Sequence, residues 1–246
     1  MRRTHRTMKR NKKFSIKVKS IMALTLLVPA PSLGVLAGMY LLPSSPLGKA
    51  IFTVCKIWLL VFPLLWLKIV DKGHFSLSPV RQGGLWGGAI SGVVLSLLIV
   101  LLYLIWGRNL LDSELFISKM QEIGMDSFPM YFGGALYWIF VNSVLEESVW
   151  RWFVYEKCEA VTGPWGAIIL GSIFFTMHHF IALQTFFHLH IALICSAGVF
   201  IGGALWSFMY RRYRSVWPGY ISHAVVDLAI FGIGAVIMRL GTIING

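Results

Sequence analysis

Residues 160–210 run for 51 positions without a single Asp, Glu, Lys or Arg. About 20 apolar residues, each rising ~1.5 Å, cross a hydrocarbon layer ~30 Å thick. The run is therefore too long for one membrane crossing and long enough for two, with a polar break near residues 184–190. Uncharged runs at 20–48, 82–107 and 127–145 supply three more spans. Two weaker ones lie at 50–70, with Lys56 and Lys68 placed towards its ends, and at 216–238, with Asp227 inside. The reading is an all-α, polytopic transmembrane bundle of about seven spans, with room for an eighth, enclosing an intramembrane polar cavity. Only 13% of the chain is charged, about half the share in soluble domains.

The formal charge of +12 is local: nine of the 22 Lys and Arg lie between Arg2 and Lys19, unaccompanied by Asp or Glu. One short basic tail fits a cytosolic flank under the positive-inside rule better than a nucleic-acid surface. No nucleic-acid partner is expected, and the tail itself is expected to be disordered. Lys72, Arg81, Lys157 and the Arg211-Arg212-Tyr213-Arg214 segment fall on the same side as the tail if there are seven spans. Asp112, Glu114, Glu122 and Asp126 fall on the other, in a connector that could hold a surface helix. This puts the N-terminus in the cytosol and the protein in the cell membrane, with lipid as its surroundings. The apolar run after the tail continues to Leu42, so it reads as an uncleaved anchor. The organisation expected is a basic tail (1–19), N-terminal spans with the polar connector (20–126) and a C-terminal transmembrane core (127–246).

Cys55, Cys158 and Cys195 are far apart and form no CxxC pair, so neither a disulfide framework nor a thiolate metal site is indicated. Gly84, Gly88 and Gly92, and again Gly198 and Gly202, recur every four residues, a spacing that lets helix backbones approach in lipid.

Ionisable residues inside apolar spans are costly, at ~2.5–3.5 kcal/mol each near a helix centre, and must meet one another or water. Glu146, Glu147 and Arg151 lie in the fourth span or its cytosolic extension, His178 and His179 in the fifth, His223 and Asp227 in the seventh. Glu147 and Arg151 are four apart and can pair on one helix face, while Glu146 points about 100° away. That leaves Glu146 free as a general base, although an interfacial salt bridge is the plainer reading of EExxxR by itself. A histidine can equally be a core residue bonded to a carbonyl, and His223 with Asp227, one turn apart, can equally be a helix–helix hydrogen bond. Counted from the cytosolic ends, Glu146 lies ~16 Å deep, His179 ~22 Å and His223 ~10 Å, compatible with one cavity. His188 and His190, at the polar break, read as interfacial.

Taken in order, Glu146-Glu147 with Arg151, Phe174 or Phe175 with His178 or His179, and His223 with Asp227 resemble the CAAX protease and bacteriocin-processing family of intramembrane glutamic peptidases. The resemblance spans about residues 131–231. It implies an endopeptidase acting on a peptide or membrane-protein substrate. Glu146 and the histidine of the second motif would activate water, His223 and its partner would stabilise the oxyanion, and Glu147 and Arg151 would support the site, without a metal or other cofactor. Ser172, seven residues before His179, favours His179 over His178. Asp227 stands where the family usually has Asn; an ionised Asp would repel an oxyanion, so it must be protonated or must act by orienting His223. Two other readings stay open: a zinc metallopeptidase using the same cavity, although HExxH is absent, and a non-enzymatic membrane protein such as an immunity factor, transporter or scaffold.

Overall fold

A computed structural model of the 246-residue chain describes the backbone of residues 2–76 and 78–245 and the side chains of 14–76 and 78–239. Eight helices follow one another: α1 (Phe14–Leu41), α2 (Pro46–Asp71), α3 (Leu85–Leu110), α4 (Ser113–Glu122), α5 (Phe128–Thr162), α6 (Pro164–Phe186), α7 (Leu189–Tyr213) and α8 (Trp217–Arg239). All except α4 are long and apolar enough to cross a membrane, and no strand occurs among the described residues. The chain is an integral membrane protein with seven candidate spans among the described residues. Of the basic tail, residues 2–19 are helical rather than disordered, in one helix that runs on into α1; the side chains before Phe14 lie outside the described residues.

Local chemistry accounts for the joints. Ser45 accepts a hydrogen bond from the Leu47 amide at 3.2 Å and Pro46 opens α2, where a missing N–H costs nothing. Asp112 caps α4 by accepting from the Leu115 amide at 2.9 Å, so the acidic connector does hold a short helix. Between α5 and α6, Gly163 takes φ +82°, a conformation open to glycine at no steric cost. The long uncharged run breaks at Phe187 and His188, inside the polar stretch read from the sequence.

α3 and α8 lie side by side because α3 presents glycine to its partner. A Cβ added at Gly92 would fall 3.0 Å from Ser222 Cα and 2.9 Å from Val225 Cβ. Ser96 Oγ then donates to the Val225 carbonyl at 2.9 Å. The second glycine pair does something else. Nothing lies within 4 Å of a Cβ built on Gly198, and Gly202 only clears space for Trp206 of its own helix, 3.3 Å away. Spacing alone does not reveal whether a facing helix is there.

α2 and α5 run parallel and in register. Lys56 donates to Asn142 Oδ1 and Lys157 pairs with Asp71; each contact joins positions 86 apart in sequence, so alignment holds over fifteen residues, about 22 Å. This places Lys56 differently from the sequence reading. It sits ten residues inside α2 from Pro46 and fifteen before Asp71, near mid-span and not towards an end.

At the Arg-rich end, Arg214 makes two 2.8 Å hydrogen bonds to the Glu159 carboxylate. Those bonds hold its guanidinium protonated more firmly than usual. Tyr210 Oη donates to Glu156 Oε1 at 2.7 Å. Beside them a cleft of about 370 Å³ is lined by Ser76, Arg81, Gln82, Trp152, Glu156 and Tyr213 among others.

Candidate active site

The turn that carries the two glutamates is a regular α-helical stretch, Ser143–Glu147, between two wider π-helical segments, Tyr137–Asn142 and Ser148–Tyr155. Such widened turns recur at functional sites because they reset which residues face a neighbour. Here they leave Glu147, Trp150, Arg151 and Tyr155 fully buried on the inner side of α5.

Glu147 is the anchor of the cluster. Its Oε1 lies 3.2 Å from an Arg151 guanidinium nitrogen and 3.1 Å from His223 Nδ1. A carboxylate only accepts, so His223 donates through Nδ1. Arg151 is sealed by aromatic rings, with its guanidinium carbon 4.6 Å from the Phe175 ring centre and 5.4 Å from that of Trp206. Gly219 makes room for this arrangement: a Cβ there would stand 2.5 Å from Glu147 Oε2. Gly219, His223 and Asp227 fall at successive i+4 positions, so the face of α8 that carries the motif begins with a residue lacking a side chain.

Glu146 is turned the other way, as the helix geometry requires. One carboxylate oxygen of Glu146 and one ring nitrogen each of His178 and His179 lie within 4.8 Å of one another. Glu146 Oε2 is also 3.9 Å from His223 Nε2. The three candidate motifs, from α5, α6 and α8, thus converge on one point. The unequal depths counted along the sequence did not keep them apart, because the helix ends are not level. α5 continues fifteen residues past Glu147 to Thr162, whereas His223 is only six past the start of α8.

The two histidines of α6 differ in setting. His179 is half-buried and its Nδ1 lies 2.9 Å from the Phe175 carbonyl. A carbonyl accepts only, so Nδ1 carries the hydrogen and Nε2 keeps a free lone pair. His178 is buried, its ring parallel to the Trp150 indole at 5.2 Å and 8°. On α8, the His223 ring stacks on Trp206 at 4.0 Å and 15°. Asp227 Oδ2 lies 3.6 Å from His223 Nε2 and accepts a 2.7 Å hydrogen bond from Ser143 Oγ.

Several of these groups escape a reading of motifs. Trp206 and Ser143 lack any distinguishing sequence signal. Gly219 had one, its place four residues before His223. Lys56 had one too, a charge deep in an apolar span, but a misplaced helix start hid it. The open cleft lies toward the Arg-rich end and is lined in part by Trp152 and Glu156 of α5.

A bundle of seven spans with a buried Glu/His cluster defines an integral membrane protein built around an intramembrane polar site. Residues 128–229 match the family model of Rce1-like, type II CAAX prenyl endopeptidases, so this segment is a domain of the CAAX protease and bacteriocin-processing family. That family is one of peptidases. No curated protein and no solved structure matches the chain.

Proposed function

We propose that the chain is an intramembrane endopeptidase that hydrolyses a peptide bond of a membrane-associated or peptide substrate. The observation that carries this reading is the meeting of Glu146, His178 and His179 within 4.8 Å, with His223 Nε2 3.9 Å from Glu146, inside the segment that matches the peptidase family. Glu146 is the general base and takes a proton from water, while the free Nε2 lone pair of His179 accepts the water's second hydrogen and aims its oxygen at the carbonyl carbon. Collapse of the tetrahedral intermediate breaks the C–N bond, and Glu146 returns the proton to the leaving amine. His223 lies beside the reacting group, oriented by Glu147 on one nitrogen and by Asp227, itself held by Ser143, on the other. Asp227 thus works by orienting His223.

The direct test is cleavage by the purified protein in detergent or liposomes. A panel of peptides should include prenylated and unmodified C-terminal cysteine sequences. Cleavage of at least one peptide, absent in Glu146→Gln, is the expected result. Cleavage of none would favour the scaffold or immunity-factor reading.

One observation favours a second reading. A carboxylate and two imidazoles within 4.8 Å are also the donor set of a catalytic zinc site. The absence of HExxH and the match to the Rce1-like family model support the metal-free mechanism. Activity should therefore survive strong chelation, with no stoichiometric zinc in the purified protein. Activity lost to chelator and restored by zinc alone would transfer the assignment to the metallopeptidase.

Orientation follows from charge. Reporters fused at Ser15 and Arg212 should read cytosolic and one at Asp112 should read external. A cytosolic Asp112 would invert the bundle and place the cleft near Arg81 and Arg214 on the far side of the membrane.

A further inference from the structure

Lys56 is a cation near the middle of a span, half-buried, hydrogen-bonded to neutral Asn142, and without an ion pair among the described residues. An ionisable residue so placed is expensive and marks function by default. Its surroundings define which function. Asn142 precedes Glu146 by four residues and so lies one turn away on nearly the same face of α5. Lys56 lies within electrostatic range of both Glu146 and His178.

Hydrolysis needs hydrogen-bond donors aimed at the carbonyl oxygen as it gains negative charge. The cluster is short of uncommitted ones. Arg151 is sealed behind Phe175 and paired with Glu147. His179 donates to the Phe175 carbonyl and His223 Nδ1 to Glu147. His223 Nε2 stands between the Glu146 and Asp227 carboxylates at 3.9 and 3.6 Å, which compete for any hydrogen it carries. Asp227 accepts from Ser143. Two hydrogens on Lys56 Nζ and two on the Asn142 amide, whose oxygen already accepts from Lys56, remain uncommitted; His178, whose Nδ1 also has no hydrogen-bond partner, is buried with its ring flat against Trp150.

We propose that Lys56, with the Asn142 amide, donates to the carbonyl oxygen of the peptide being cleaved. Lys56 is then a catalytic residue contributed by α2, outside the segment that matches the peptidase family. This rests on the peptidase reading above. As water oxygen bonds to the carbonyl carbon and its proton passes to Glu146, the C=O electron pair moves onto oxygen, where the Lys56 and Asn142 hydrogens meet it. When the C–N bond breaks, the pair returns and the amine leaves with the proton from Glu146.

The experiment compares Lys56→Met and Lys56→Arg with wild type, using the panel peptide that wild type cleaves best. Met keeps the length of the side chain and removes its charge and its hydrogen-bond donors. Lys56→Met should lower kcat by about 100-fold or more with KM within about threefold, and Lys56→Arg should recover at least a tenth of wild-type kcat. Lys56→Met should also leave peptide binding unchanged in a Glu146→Gln background, since the donors act on the transition state. If Lys56→Met does not accumulate, Asn142→Leu carries the same test. An unchanged kcat overturns the proposal, as does a loss confined to KM, which would make Lys56 a substrate anchor. A wild type that cleaves no panel peptide overturns the peptidase reading and this proposal with it; a cleaving wild type matched by Lys56→Met overturns this proposal alone.

Discussion

Glu146→Gln should abolish peptide cleavage while the protein inserts and accumulates as before. Gln keeps the shape of the side chain and removes its basicity, and losing a positioned general base costs about 10²- to 10⁴-fold. Glu146 lies 3.9 Å from His223 Nε2, farther than a hydrogen bond, so no essential structural bond is lost. Initial rates of the best panel peptide, normalised to monodisperse protein, measure the effect. His179→Ala should follow Glu146→Gln, because His179 belongs to the same cluster as Glu146 and keeps Nε2 free of the Phe175 carbonyl. His178→Ala should keep more activity, since that ring packs on Trp150. Full turnover in Glu146→Gln would remove the general base and leave the scaffold reading ahead.

Glu147→Gln should fail for a different reason. Arg151 is completely buried and Glu147 is the carboxylate paired with it. Leaving a buried charge without its partner costs about 3–5 kcal/mol, which for a domain of this size lowers the melting midpoint by roughly 6–20 °C. Activity falls as well, because Glu147 Oε1 holds His223 Nδ1. The discriminating measurement is thermal unfolding in detergent of Glu147→Gln beside Glu147→Gln/Arg151→Met. The double variant removes the stranded charge, so it should regain most of the lost stability while cleavage stays low. A single variant as stable as wild type would mean that Arg151 finds another acceptor, and the ion pair would lose its structural role.

The two predictions separate because adjacent residues on a helix point in different directions, which was legible from the numbering. So was the pairing of Glu147 with Arg151 at four residues' distance, confirmed at 3.2 Å. The three motifs were readable as a set, and the structure brings them together. Glycine spacing was a weaker guide: it found the α3–α8 contact but treated Gly198 as equivalent, and no neighbouring atom lies near its missing Cβ. A repeat records what a helix permits, not what lies opposite.

Composition and the uncharged runs by themselves determined that this chain lies in a membrane, roughly how many spans it has and which polar residues those spans carry. The physical reason is that lipid supplies no hydrogen bonds, so every span must be a self-satisfied apolar helix and each charge within one is conspicuous. Only the tertiary structure decided what those charges meet. That His223 bonds Glu147, that Asp227 is held by Ser143, that Gly219 clears space for a carboxylate and that Lys56 bonds Asn142, one turn from Glu146, all depend on helix levels and rotations. Those are set by packing between residues distant in sequence, here the parallel register of α2 with α5 and the glycine seam of α3 with α8, and no local pattern encodes them.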